Sequence, residues 1–129
     1  MNREHTEKLL KGFPYQFSYY HDHTKPLTPM VFGFECGDGW YEIIYNLTKK
    51  LSEVSPHTKV LQVKEKFAGL RYYVDTCNDE GFELIDQAEE LSYKTCEACG
   101  SMEDVKVRGD YWVQTRCEKC KDISPRDIQ

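Results

Sequence analysis

The sequence contains no apolar run near the roughly 20 residues that a bilayer crossing needs. Its opening, Met-Asn-Arg-Glu-His-Thr-Glu, lacks the apolar stretch of a secretory leader, so a cytoplasmic protein without membrane contact is expected. Positive charge is also scarce. Seventeen Lys and Arg face 22 Asp and Glu, and the formal charge of -5 disfavours general coating of a phosphate backbone. There is no internal repeat, no low-complexity tract and no Gly/Ser/Pro-rich linker, so nothing divides the chain into separate bodies. No recognisable catalytic motif is present either. What is there is a globular composition, 40% apolar with 13% aromatic residues in 129 positions, enough for one small core with a stapled appendage.

The six cysteines supply the staple. Cys96-Glu-Ala-Cys99 and Cys117-Glu-Lys-Cys120 are separated by 17 residues, inside the window of a four-thiolate zinc site. Two residues between paired cysteines let a tight knuckle aim both sulfurs at one ion, and four thiolates supply the closed tetrahedron that Zn²⁺ accepts. With every position taken by protein, such an ion is structural and holds no water for catalysis. Iron fits the same sulfurs and stays open as the alternative. Between the knuckles, residues 105–108 and 111–116 are extended runs around Gly109-Asp110, the pattern of a hairpin. Knuckle, hairpin and knuckle over residues 96–120 resemble a zinc ribbon. Cys36 and Cys77 fall outside the spacing and read as reduced structural thiols, and His21 and His23, in a Pro-containing loop, lack a third ligand.

Upstream, residues 4–11 suit a short helix ended by Pro14, residues 21–29 a loop, and residues 31–34 a brief strand. Asp38 in Cys36-Gly-Asp-Gly-Trp40 is placed to cap a helix whose apolar stripe is Trp40, Ile43, Ile44, Leu47 and Leu51. Leu61, Val63, Glu65 and Phe67 alternate with polar residues as a strand does. A turn at Ala68-Gly69 would set Phe67 opposite Leu70, Lys66 opposite Arg71 and Lys64 opposite Tyr73. Asn78-Asp79 caps another helix with Phe82, Ile85, Ala88 and Leu91 on its apolar side. The expected fold is therefore α+β, two helices packed on a small antiparallel sheet with a C-terminal zinc ribbon. Its parts are an N-terminal helix and loop (1–30), a core (31–95), the ribbon (96–120) and a tail (121–129), forming one compact unit. The expected core comprises Trp40, Ile43, Ile44, Leu47, Leu61, Val63, Phe67, Leu70, Tyr72, Phe82, Ile85 and Leu91.

Charge is segregated along the chain. Lys59, Lys64, Lys66 and Arg71 against Glu65 give residues 59–73 a local +3, whereas residues 75–90 carry seven acids and no base. Lys66 facing Arg71 across a hairpin is unfavourable unless something offsets it. Either acids of the next helix pair with these cations, or Lys64, Lys66, Arg71 and Tyr73, with Trp40 and Tyr41 beside them, bind an anionic, nucleotide-type ligand.

Together, residues 36–40, 63–73 (Val-Lys-Glu-Lys-Phe-Ala-Gly-Leu-Arg-Tyr-Tyr) and 88–99 resemble small zinc-ribbon proteins of tailed phages and bacterial mobile elements, over residues 31–120. Ala68 stands where that family has the first of two glycines. The resemblance implies an accessory protein made during infection, one that blocks a host defence, and it implies no catalytic residues. The leading expectation is a non-catalytic binding module whose partner is a host protein or a small anionic ligand. Two alternatives remain. One is specific nucleic-acid binding through the ribbon, with Lys106, Arg108 and Arg116 near Tyr111 and Trp112; the seven bases and seven acids of residues 91–129 leave that module neutral before the thiolates are counted. The other is a small hydrolase using Glu35, Asp38 and Cys36, with Glu42 nearby.

Overall fold

The computed structural model describes residues 1–24 and 27–125. The expectations for Lys25 and Pro26 of the loop and for residues 126–129 of the tail fall outside them.

Helix α1 (Arg3–Gly12) starts at Asn2, whose side chain accepts the His5 N–H, and buries Leu9. After turns at Ser18–Tyr20 and Pro29–Phe32, strand β1 (Phe34–Glu35) is only two residues long. The strand expected at residues 31–34 is thus mostly a 3₁₀ turn, opened by Pro29 at its first position. A second such turn, Asp38–Trp40, leads into α2 (Tyr41–Val54). Asp38 does not cap α2. Its carboxylate accepts the Asn2 N–H at 2.7 Å and meets His5 Nδ1 at 3.1 Å, so it fastens the start of α1 instead. The α2 stripe, Trp40, Ile43, Ile44, Leu47 and Leu51, is buried throughout, and α2 ends at Ser55, whose N–H bonds to the Leu51 carbonyl.

Strands β2 (Val60–Lys66) and β3 (Gly69–Val74) pair antiparallel, and β1 lies parallel to β2, giving the order β1-β2-β3. The sheet is therefore a hairpin with one short parallel strand added, and with the three helices the chain is α+β. The register differs from the expected one. Phe67 and Ala68, both at positive φ (53° and 70°), form the turn, so Lys66 faces Gly69, Glu65 faces Leu70 and Lys64 faces Arg71. Gly69 is needed elsewhere: a Cβ there would collide with the Tyr93 ring. Ala68 is gripped from both sides, its N–H by Glu65 Oε2 at 2.8 Å and its carbonyl by Thr115 Oγ1 at 2.7 Å. The earlier turn throws Phe67 into solvent at 71% exposure. A bulge between Val60 and Gln62 turns Val60 inward, leaving Leu61 half-buried.

Helix α3 (Asp79–Ser92), capped by Asn78, packs beside α2 and along β3. It buries Ala88 and half-buries Ile85, whereas Phe82 and Leu91, expected inside, stay on the surface. Aromatic rings from the N-terminal segment fill the space instead: Phe13 and Phe17 pack edge-on against each other, with Tyr45 and Phe34 beyond them. Strands β4 (Val105–Arg108) and β5 (Gln114–Cys117) form a second hairpin around a loop longer than the expected Gly109-Asp110 turn. Ile44 sits at the centre of the core with no exposed surface, so Ile44→Ala should lower unfolding free energy by about 2–5 kcal/mol in urea titration. Unchanged stability would remove α2 from the core.

Candidate metal centre

The four module cysteines converge as their spacing requires. In the first knuckle, Gly100, at φ 84°, donates its N–H to the Cys96 carbonyl at 2.9 Å, and the Ser101 carbonyl accepts the Cys96 N–H at 2.8 Å. In the second, β5 delivers Cys117 and the turn Glu118–Cys120 brings Cys120 back beside it. All four Sγ atoms lie within 4.8 Å of one another, and Cys99 and Cys117 are 3.7 Å apart. A tetrahedron with metal–sulfur bonds of about 2.3 Å has edges of about 3.8 Å, so the cluster fits one ion of that coordination. Cys96, Cys117 and Cys120 are buried, and Cys99 reaches the surface.

Crowding divides the acidity of these thiols. Burial pushes Cys120 up to about 12, and it raises Cys99 as well. Burial also acts against ionisation of Cys117, but the hydrogen bonds from Cys120 outweigh it and hold Cys117 down to about 7. Cys117 is thus the most readily ionised of the three, and a cation bound by the four sulfurs would displace the protons that remain.

The centre is joined to the core by a set of buried polar contacts. Glu97, inside the first knuckle, points away from the sulfurs: its Oε2 accepts the Gly37 N–H at 2.8 Å and its Oε1 lies 3.4 Å from Arg116 Nη1. The Glu97 carbonyl accepts the Gly39 N–H at 2.8 Å, and the Trp40 indole N–H donates to the Thr95 carbonyl at 2.9 Å. Gly39 has no room for a side chain, since a Cβ would fall inside the Cys96 carbonyl oxygen. Burial raises the Glu97 carboxyl above its usual range, against the Gly37 and Arg116 contacts that lower it. Its protonated form is thus favoured by folding, and this contribution is lost as pH rises through the folded value.

The other candidate residues are distributed differently. Lys64, Arg71, Gln62 and Tyr73 share one sheet face, and Lys66 lies at its end. Arg71 is already engaged: Glu89 of α3 holds it at 2.7 Å, and it donates to the Lys66 carbonyl and toward the Tyr93 hydroxyl. Burial weakens the Arg71 charge, but Glu89 outweighs this and raises its pKa. Lys66 Nζ sits 5.6 Å above the Phe67 ring. Trp40 is wholly buried behind the centre and offers no ligand surface, while Tyr41 stacks on His5 at 4.0 Å. Glu35 accepts from Gln62, and Glu42 is exposed. Cys36 is fully buried, and burial with the nearby Glu97 charge pushes its thiol up, so it offers no thiolate at neutral pH. His21 and His23 are exposed and join no metal cluster among the described residues. At the ribbon tip Tyr111 is fully exposed and Trp112 is 70% exposed.

Sequence reasoning missed Glu97 and Thr115, and it placed Arg116 among the nucleic-acid contacts of the ribbon; Arg116 is instead wholly buried, and all three residues attach the centre to the core. No sequence signal marks Glu97, because Glu118 holds the equivalent position in the second knuckle and is exposed. Comparison with protein-family models, curated proteins and solved structures found no match.

Arg116 is wholly buried, and its Nε and Nη2 have no protein partner, so Glu97 is the one carboxylate bonded to it among the described residues. Glu97→Ala should therefore cost about 3–5 kcal/mol, and Glu97→Gln with Arg116→Met clearly less, in chemical denaturation of metal-loaded protein. Equal losses for the two variants would show that the pair does not act as a unit.

Proposed function

We propose that this chain is a non-catalytic binding protein held in shape by structural Zn²⁺ on Cys96, Cys99, Cys117 and Cys120. The observation that carries this reading is the closed set of four sulfurs built into the core. Zinc suits the site because it takes four thiolates in a tetrahedron without redox chemistry, and four protein ligands leave no position for a substrate. The hydrolase alternative loses its nucleophile to the burial of Cys36.

A protein partner is favoured over a nucleotide-type anion. The cation at the centre of the basic hairpin, Arg71, is neutralised from within by Glu89, so an incoming phosphate would have to displace a carboxylate. With the resemblance to phage zinc-ribbon proteins, this gives a cytoplasmic accessory or anti-defence factor that acts by occupying a host protein. The exposed Tyr111 and Trp112 support a second reading, stacking on unpaired nucleic-acid bases at the ribbon tip.

Elemental analysis should give one zinc per chain and no iron. Millimolar ATP should leave the melting temperature of the zinc-loaded protein unchanged, with Lys64→Glu/Lys66→Glu behaving like the parent. An ATP-induced rise abolished by that double variant would restore the hairpin as an anion site and overturn the protein-partner reading.

A further inference from the structure

An open groove of about 520 Å³ runs between α2 and α3 and ends at the first knuckle, with Ile43, Leu47, Leu84 and Ala88 along its apolar floor. At the knuckle end Leu91 and Met102 line it and are 39% and 61% exposed, an apolar lip left uncovered among the described residues. The rim is acidic. Glu42 lines the α2 side, and on α3 the exposed Glu83 and Glu90 lie four and three positions from the lining residue Gln87, hence on the same flank of the helix. None of these three acids forms an ion pair among the described residues, in contrast to Glu89 on the opposite flank. Asp38 at the knuckle end is bound to His5, and among the described residues Lys50 is the single Lys or Arg lining the groove.

We propose that this groove docks a basic amphipathic helix of a partner protein, a refinement that rests on the binding-protein reading above. Both walls are helices of 14 residues, about 21 Å long at 1.5 Å per residue, so a helix of three to four turns lies along them. Its apolar side chains, spaced three and four apart, would enter between Leu84 and Leu91 and meet Met102 at the end. Its Lys and Arg residues would flank that stripe and meet Glu42, Glu83 and Glu90, whose charges have no partner among the described residues. An acidic or nucleic-acid occupant would meet repulsion along the same rim.

The proposal is tested with zinc-loaded full chain and three fluorescein-labelled 14-residue peptides: a Lys/Leu peptide with helical apolar spacing, a scrambled peptide of the same composition, and a Glu/Leu peptide with the first pattern. The patterned Lys/Leu peptide should bind at least tenfold more tightly than the other two in anisotropy titrations. Its amide shift changes should centre on Leu84, Leu91 and Met102. Glu83→Lys/Glu90→Lys should weaken it at least tenfold with melting temperature and zinc content matching the parent, since both side chains are exposed, and Leu91→Ser/Met102→Ser should weaken it several-fold with zinc content unchanged. Equal binding of the scrambled peptide, shift changes centred on the ribbon tip, or no binding at millimolar peptide would overturn the groove assignment. The binding-protein reading has its own readout. A stoichiometric host complex that survives Glu83→Lys/Glu90→Lys would leave that reading standing with the groove excluded, whereas the ATP response described above would remove the protein-partner reading itself.

Discussion

The fold depends on one buried carboxylate. Glu97 sits between two of the four clustered cysteines yet turns inward, and through it the first knuckle, strand β5 and the Gly37–Trp40 turn share one set of hydrogen bonds. Burying a carboxylate and a guanidinium costs desolvation free energy that their mutual attraction only partly returns. Part of the remainder comes from the Gly37 N–H, which donates to the carboxylate, and from the Thr115 carbonyl, which accepts from Arg116 Nη1, while Arg116 Nε and Nη2 stay without a partner among the described residues. Such a junction is specific more than it is stabilising. It accepts one orientation of the cysteine module on the core and penalises others by leaving a charge unpaired.

Contacts between segments distant in sequence explain the parts of it that simple patterning could not interpret. The glycine of Gly39 gives the Cys96 carbonyl room, and the one at Gly69 gives Tyr93 room. A two-residue turn read from local propensity therefore fell one position late, because Gly69 was taken as a turn residue when tertiary packing had claimed it. Asp38 was assigned to its own helix for the same reason. A capping residue is recognised by local spacing, but its carboxylate found N–H donors 33 and 36 positions upstream.

Features that depend on short-range periodicity or on ligand spacing were legible. The stripe of α2 is buried as its 3.6-residue repeat requires, and the four-cysteine spacing brings four sulfurs to one point. The surface placement of Phe82 and Leu91 was not legible, since an apolar residue on a helix stripe gives no sign of whether the chain has anything to put against it. Charge segregation gave half of its meaning: the contact between Arg71 and Glu89 joins the basic and acidic blocks, while Glu83 and Glu90, on the other flank of α3, form no ion pair among the described residues.

The central claim, that metal centre and core share one polar junction, is tested most directly by amide hydrogen exchange at Gly37 and Gly39. Both N–H groups donate to Glu97, in a segment more than 55 residues away from the first knuckle in sequence. In metal-loaded protein both should be strongly protected. Chelation should release them together with the amides of residues 96–120, because Glu97 loses its fixed position when the knuckle opens. Protection that persists at Gly37 and Gly39 while residues 96–120 exchange freely would contradict the account and make the cysteine module an independent appendage.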